Sequence, residues 1–352
     1  MPAVTPSPVD TPGSSPGVSV VVPVLNEERH LREAVERILG QDYDGPLEVV
    51  LALGPSRDAT DEVAVRLAAG DPRVTLVRNP TGRTPAGLNA AVGASRHPVI
   101  VRVDGHGLLA PGYVATAVRL LRETGAANVG GLMAAEGVTP FQKAVARAMT
   151  SRFGVGGARF HTGGEAGPAE TVYLGVFRRE VLERMGGYDE SFLRAQDWEL
   201  NHRIRSDGGL VWFSPELSVT YRPRSTVRAL ARQYFDYGRW RRVVMRQHRG
   251  TVSLRYLAAP AAVLGCAAGL LAAPLTPWAL VLPAGYVVAV LAGSVATSGG
   301  LPAASRLALP LVYATMHLSW GTGFLTSPRG LARRSAPAPA VPAAAARGGG
   351  AA

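Results

Sequence analysis

The triplet Asp104-Gly105-His106 contains residue types that could hold a metal ion. It directly follows the apolar run 98–103, and residues two apart in an extended segment project to one side. A carboxylate and an imidazole placed in this way could share a divalent cation bound to a diphosphate. Magnesium prefers oxygen ligands, whereas an imidazole makes manganese more acceptable. Such a triplet is more often a hydrogen-bonded turn, so the prediction depends on the elements around it.

The residues before this triplet alternate between two hydrophobic patterns. Mainly apolar runs at 18–24, 47–53, 74–77 and 98–103 predict four strands. The run 18–24 is expected to be buried on both faces, and 98–103 is predicted as a further buried strand. Helical patterns separate them, and Thr84 is expected to cap the third helix ahead of Pro85. The alternation predicts right-handed crossovers and a mainly parallel α/β sheet, in which ligands bind beyond the carboxyl ends of the strands.

Four loops follow the carboxyl ends of these strands, and each contains polar groups that suit a nucleotide. They begin near Asn26, Gly54, Asn79 and Asp104. One such loop is weak evidence, because Asp and Ser at helix starts are usually caps. Four of them at a single sheet edge predict a nucleotide site.

Charge and apolar residues are concentrated differently in the C-terminal third. The chain of 352 residues has a net charge of +11, but no Asp or Glu follows Asp236, and residues 237–352 include 11 arginines. The 50 residues between Arg255 and Arg306 carry no charge, which predicts membrane helices near 256–273 and 277–297. A third apolar segment, 307–326, completes a membrane region over 256–326, and whether it crosses stays open. The alternative is a buried helical hairpin in a soluble domain.

Residues 233–255 are rich in arginine and aromatic side chains. This pattern predicts an amphipathic helix on the membrane surface, where arginines meet anionic lipid head groups or a lipid diphosphate. Nucleic-acid binding is disfavoured because a membrane span begins within a few residues. The same arginines place this side of the first span in the cytoplasm. Residues 1–17 and 327–352 are expected to be a disordered leader and tail.

Several ordered motifs resemble those of glycosyltransferase family 2, whose members have the GT-A fold. VVVPVLNEE resembles the family's first strand and loop, SRDAT resembles the end of its D-G-S-x-D-x-T loop, and VDGH stands where D-x-D is usual. TVYLGVFRR, QDWELNHRIR and MHLSWGTGF are most similar to the branch of succinoglycan-type glucosyltransferases. The resemblance implies a GT-A domain over residues 18–232, joined to C-terminal transmembrane helices.

The resemblance also implies roles for individual residues. Asp197 would be the catalytic base, and Asp104 with His106 would hold Mn²⁺ or Mg²⁺. The nucleotide-sugar donor would be bound by Pro23, Glu27, Asp58, Arg83, Asn89 and Asp104. The acceptor and membrane side would be formed by Glu199, Gln233, Arg239 and Trp240. Glu199 is the second choice for the base, and its alternative is a helix acid paired with an arginine.

Together these features predict a multi-pass plasma-membrane enzyme with a cytoplasmic catalytic domain. It would transfer a hexose with inversion from UDP-glucose, or a similar nucleotide sugar, to a lipid-linked or polysaccharide acceptor in cell-surface polysaccharide synthesis. Two alternatives stay open. One is a synthase that makes a polyprenyl-phosphate sugar, and the other is a catalytically inactive membrane scaffold with the same fold.

Overall fold

A computed structural model describes residues 8–10, 15–248, 250–251 and 253–332 of the chain. Within these residues a mixed sheet of nine strands forms the centre of the N-terminal domain. The strands are β1 (Val18–Val24), β2 (Leu47–Leu53), β3 (Val74–Arg78), β4 (Val99–Arg102), β5 (Leu108–Leu109), β6 (Asn128–Ala135), β7 (Gly167–Pro168), β8 (Tyr173–Arg178) and β9 (Val211–Tyr221).

The α-helices cover both faces of this sheet and form the C-terminal region. They are α1 (Leu31–Leu39), α2 (Thr60–Gly70), α3 (Thr84–Ala94), α4 (Tyr113–Thr124), α5 (Pro140–Met149), α6 (Arg152–Val155), α7 (Arg159–Thr162), α8 (Arg179–Arg184), α9 (Gln196–Ser206), α10 (Val227–Gln247), α11 (Ala258–Ala272), α12 (Val281–Thr297) and α13 (Ala303–Leu325).

The first half of the sheet is parallel, as predicted. β1 pairs in parallel with β2 and with β4, and β3 pairs in parallel with β2. Alternate residues of β1 enter two separate cores, Val20 on one face and Val21 on the other, which explains the continuous apolar run. The predicted cap at Thr84 is wrong, because Thr84 is the first residue of α3 and Arg83 precedes it without a side-chain cap.

The second half of the sheet is mixed, because β8 runs opposite to its neighbours. β8 lies between β4 and β6 and is antiparallel to both, and β9 continues the sheet in parallel with β6. The sheet order is β3-β2-β1-β4-β8-β6-β9-β5, and β7 pairs with Trp212 and Phe213 near the start of β9. This arrangement places the carboxyl end of β4 near the middle of the sheet, beside the start of α9.

Parts of the expected leader and tail are packed on the domain. Val9 is 1% exposed, and the Asp10 carboxylate accepts two hydrogen bonds from the buried guanidinium of Arg178, at 2.7 and 2.8 Å. At the other end, Ser327 is buried and donates to the carbonyl of Arg239 at 2.9 Å. The prediction of disorder is therefore wrong for residues 8–10 and 327–332. Residues 1–7, 11–14 and 333–352, where the rest of that prediction falls, lie outside the described residues.

Two C-terminal helical segments are long and apolar enough to cross a membrane. They are Leu254–Ala272 and Pro277–Thr297, close to the predicted bounds. Their large side chains are mostly exposed, and Leu271 is 80% exposed. Such a surface is unusual for a soluble protein. It is typical of contact with lipid.

The third apolar segment instead packs against the rest of the protein. α13 runs along α10, and its Leu309, Val312 and Met316 are fully buried. A Cβ atom at Gly238 of α10 would collide with the carbonyl oxygen of Trp320 on α13. Glycine at this position lets the two helix backbones approach closely. Burial against α10 and α5 therefore explains one apolar face of this segment, whereas Leu307 and Leu311 on it are exposed, at 83% and 53%.

Candidate active site

An arginine at the end of β4 joins the two carboxylates to which the sequence assigned different roles. Arg102 is 3% exposed. Its Nη2 donates to Oδ1 of Asp104 at 3.0 Å, and its Nη1 donates to Oδ1 of Asp197, the second residue of α9. A buried cation is stable when it is paired and hydrogen-bonded in this way. The fold therefore brings the proposed metal ligand and the proposed base to opposite sides of one guanidinium.

Charges around Asp104 favour its ionised form. Burial by itself would raise the pKa of Asp104, but the positive charges of Arg102 and His106 outweigh it, and the pKa is lowered. His106 in turn hydrogen-bonds through Nδ1 to Oε1 of Glu27 at 2.7 Å, and this bond raises the pKa of His106. Glu27 therefore orients the imidazole and leaves Nε2 as the nitrogen available to a ligand.

The loops after β1 and β2 hold each other at the carboxyl edge of the sheet. The amide N–H of Asn26 donates to the Ser56 hydroxyl at 3.1 Å, and that of Glu27 donates to the Thr60 hydroxyl at 2.8 Å. Asp58 is exposed and accepts from the N–H of Thr60 at 3.2 Å. The hydrogen bond from the Thr60 hydroxyl lowers the pKa of Asp58, so it carries a negative charge at this edge.

The predicted donor residues fall into two groups by their placement. Pro23 is half-buried near the end of β1, and Arg83 is exposed just before α3, so both lie at the carboxyl edge. The side chain of Asn89 is used differently. Its Nδ2 donates to the Tyr188 carbonyl at 2.9 Å, and its Oδ1 accepts from the Tyr188 N–H at 2.8 Å. Asn89 fixes the segment before α9, and its prediction as a donor ligand is corrected accordingly.

A cavity of about 1510 Å³ opens from the Arg102 cluster. Its walls include predicted residues from both sites: Asp104, His106, Asp197, Gln233 and Trp240. It continues to small and aromatic residues of the C-terminal helices, among them Ala259, Ala262, Met316 and Trp320. One cavity thus connects the proposed chemistry to the helices that are candidates for crossing the membrane.

Two predicted acceptor-side residues do not line this cavity. Glu199 is 3% exposed and forms an ion pair with Arg203 at 2.7 Å within α9. This is the alternative that the sequence left open for Glu199, a helix acid paired with an arginine. Arg239 lies over the ring of Phe235, 5.5 Å from its centroid. We therefore do not place Glu199 or Arg239 at the acceptor.

Gln233 and Trp240 do face the site from α10. The amide of Gln233 donates to the hydroxyls of Tyr221 and Tyr237, at 2.8 and 2.9 Å, and the ring of Tyr221 lies 6.5 Å from that of His106. Trp240 is buried against Phe192. The predicted interfacial face of this helix is therefore partly covered by protein.

The residues around Asp104 fit a divalent metal ion that is completed by a substrate. Asp104 contributes a carboxylate and His106 a free ring nitrogen. Among the described residues no group of three or more His, Cys, Asp or Glu side chains could hold a metal by itself. Mg²⁺ and related ions commonly bind through one or two carboxylates together with substrate phosphates. The donor set therefore fits an ion that binds with a diphosphate and fits less well a permanent structural metal.

The sequence analysis missed Arg102, which lies in the run PVIVRV. An arginine in an otherwise apolar, fully buried strand is an available signal, because a buried charge requires partners. Its partner Asp197 is 95 residues away in the chain. Only the fold shows that the pairing exists.

Comparisons with known proteins agree with this geometry. The sequence model described as "Glycosyl transferase family 2" matches residues 19–186. The succinoglycan biosynthesis protein ExoA of Rhizobium meliloti (strain 1021) is 35% identical over 315 residues, which are 87% of this chain and 93% of that protein. The putative glycosyltransferase EpsE of Bacillus subtilis (strain 168) is 37% identical over 100 residues, which are 28% of this chain and 36% of that protein.

A solved structure shows the same fold. The mannosyltransferase PcManGT from Pyrobaculum calidifontis, in complex with GDP-Man and Mn²⁺, superposes with a TM-score of 0.54 at 24% identity, over 92% of this chain and 89% of that one. The resemblance found in the motifs, the GT-A-like mixed sheet and the predicted enzyme class are confirmed. The chain belongs to glycosyltransferase family 2 and is a glycosyltransferase.

Proposed function

We propose that the protein is a membrane-anchored, inverting glycosyltransferase of cell-surface polysaccharide synthesis. Its donor would be UDP-glucose or a similar nucleotide sugar, and its acceptor a lipid-linked or polysaccharide glycan. The observation that supports this best is the placement of Asp104 and Asp197 on Arg102 in a cavity that continues to the apolar helices. The similarity to a protein named for succinoglycan biosynthesis supports the pathway class.

The residues of this cluster suit inverting transfer by a single displacement. Asp197 is 24% exposed and lines the cavity, so its carboxylate can take the proton of the attacking acceptor hydroxyl. Arg102 holds that carboxylate in place and adds positive charge near the departing diphosphate. Asp104 and His106 would hold a divalent ion, which supplies further charge stabilisation to the diphosphate when bound. The mannosyltransferase of similar fold, whose structure contains Mn²⁺ and GDP-Man, supports a divalent ion bound together with a nucleotide sugar.

The membrane anchor would be formed by α11 and α12. Their exposed apolar surface would lie in the bilayer, and the arginines that precede them favour a cytoplasmic catalytic domain. Membrane lipids are then partners of the enzyme, together with its donor and acceptor. Separation of cell fractions tests the location directly, because the anchored protein should resist extraction by salt and alkali and require detergent.

A panel of nucleotide sugars tests the reaction. The purified full chain in detergent is incubated with UDP- and GDP-sugars and with Mn²⁺ or Mg²⁺, and the released nucleoside diphosphate is measured. We expect turnover of UDP-glucose or a close analogue, and loss of turnover in Asp104→Asn. Absence of hydrolysis for every donor would favour the inactive scaffold. Transfer to a polyprenyl phosphate alone would identify the polyprenyl-phosphate sugar synthase.

A further inference from the structure

Among the residues that the structure describes, Arg241 on α10 has no carboxylate within ion-pair distance. Its guanidinium carbon lies 4.9 Å from the ring centroid of Trp198 and 4.2 Å from that of Tyr256. Its Nη1 is buried and has no hydrogen-bond partner among the described residues. Burial lowers the pKa of Arg241, so the nearby Tyr256 and Glu170 do not fully offset the cost of burying its charge. A desolvated charge of this kind is unfavourable unless an anion approaches it.

The neighbouring arginines on the same helix are used differently. Arg242 lies over Phe324 of α13, 4.8 Å from the ring centroid. Arg246 donates to the carbonyls of Ser327 and Pro328, at 3.0 and 3.1 Å. Both therefore fasten α10 to the C-terminal segment of the protein. Of these three arginines, only Arg241 lines the cavity that begins at the Arg102 cluster.

The surroundings of Arg241 combine positive charge with an apolar exit. Arg255 lies on the same aromatic ring, 4.8 Å from the centroid of Tyr256, and pairs with Glu170 at 2.7 Å. Two guanidinium groups thus lie on one ring, and only that of Arg255 has a carboxylate partner within ion-pair distance. Beyond them the cavity wall consists of Ala259 and Ala262 of α11, at the start of the first candidate span. An anionic head group on an apolar chain matches this sequence of surfaces.

The position of Arg241 also bears on the reaction, because it is close in the structure to the helix that contains the candidate base. Trp198, on which Arg241 stacks, directly follows Asp197 in α9. Arg241, Trp198 and the candidate base Asp197 line the same cavity, so an anion bound at Arg241 would share that cavity with the base. Arginine is well suited to phosphate, because its planar group donates two parallel hydrogen bonds.

We propose that Arg241, with Arg255 beside it, binds the phosphate or diphosphate of a lipid-linked acceptor whose chain leaves the cavity along α11. This inference rests on the proposed function and narrows its acceptor to a phosphate-bearing lipid. A neutral polysaccharide has no anionic group that would pair with Arg241 in this way.

Binding of farnesyl diphosphate to the full chain in detergent tests the proposal. The dissociation constant is measured by calorimetry at saturating UDP, so that the donor site is filled, and farnesol and inorganic diphosphate are measured beside it. We expect Arg241→Gln to weaken farnesyl diphosphate binding at least tenfold, and Arg241→Lys to weaken it less. The matched control is Arg246→Gln, which removes the same charge from the same helix outside the cavity and should change the affinity less than threefold.

Several results would overturn the proposal. One is an affinity of Arg241→Gln within threefold of the unmodified protein, and another is an equal loss in Arg246→Gln. Inorganic diphosphate binding as tightly as farnesyl diphosphate would show a site for a free anion, and farnesol binding as tightly would show that phosphate is not recognised. Thermal melting of each variant identifies losses of affinity that result from unfolding. If Arg241→Gln is unfolded, the affinity of the Arg241→Lys variant for farnesyl diphosphate decides instead. Lack of donor hydrolysis with intact farnesyl diphosphate binding would refute the proposed reaction and leave the lipid-phosphate site standing.

Discussion

Replacing each of the two carboxylates of α9 by its amide separates chemistry from stability. Asp197→Asn removes the group placed to accept the proton of the acceptor, and general-base catalysis contributes about 10²–10⁴-fold. That range corresponds to about 2.7–5.5 kcal/mol in activation free energy. The fold should survive, because Arg102 keeps its ion pair with Asp104 at 3.0 Å and the new amide oxygen can still accept from Arg102.

Glu199→Gln should have the opposite effect. Glu199 is 3% exposed, and its carboxylate accepts from Arg203 at 2.7 and 2.8 Å, whereas it does not reach the cavity. Loss of charge-assisted hydrogen bonds of this kind costs about 1–3 kcal/mol of stability. For a domain of this size the midpoint of thermal unfolding should fall by about 2–10 °C. Turnover at a temperature below the transition should stay within a few-fold of the unmodified enzyme.

Three measurements on each purified variant decide between these effects: the rate of sugar transfer, the affinity for UDP by calorimetry and the thermal midpoint. We expect Asp197→Asn to lose at least a hundredfold in rate while its UDP affinity and midpoint change little. Transfer within tenfold of the unmodified enzyme would show that Asp197 is not the base. If Glu199→Gln were inactive with an unchanged midpoint, the base would have been assigned to the wrong carboxylate.

Substitutions at three further positions test the metal site, the helix contact and the N-terminal segment. His106→Ala should abolish activity or raise the metal concentration required, whereas His106→Asp should keep activity and favour Mg²⁺; unchanged metal titrations in both would exclude His106 as a ligand. Gly238→Ala should destabilise the protein by about 1–3 kcal/mol because a methyl group meets the Trp320 backbone; the control Gly93→Ala, with open space around it, should be neutral or stabilising in thermal melts. Asp10→Asn should lower the thermal midpoint by weakening the bidentate pair with Arg178, and an unchanged midpoint would show that this contact does not contribute.

The parallel half of the sheet could be predicted because β1, β2 and β4 are buried on both faces, whereas β3 at the edge is only partly buried. An apolar run such as VSVVVPV has few alternatives to a central strand. The antiparallel half has no such pattern. β6 contains Gly130 and Gly131, and β8 contains Leu174 with a φ of 60°. In β9, Pro215 and Glu216 interrupt the apolar residues. These strands are determined by pairing with distant partners, so local sequence does not reveal them.

The pattern of α10 shows a second limit of sequence analysis. Tyr234, Tyr237 and Trp240 recur at helical spacing, and this predicted a face that rests on the membrane. In the structure Tyr234 and Trp240 are buried by protein, whereas Tyr237 is more exposed. Hydrophobic periodicity shows that a helix face avoids water. It does not show whether lipid or another helix covers that face, and here α13 covers much of it.

The charges along the cavity differ between its proposed donor side, at Arg102, and its proposed acceptor side, at Arg241. At one end of the cavity, the charge of Arg102 is balanced by two carboxylates. Asp104 lies in the loop after β4, and Asp197 lies in α9. Arg241 has no such carboxylate among the described residues, although it stacks on the residue next to Asp197. Because a folded protein rarely leaves a desolvated cation unpaired, the missing negative charge is expected to come from a ligand. A phosphate bound at Arg241, as proposed, would supply this charge within the cavity that Asp197 also lines, and the acceptor would then be part of the charge balance of the site.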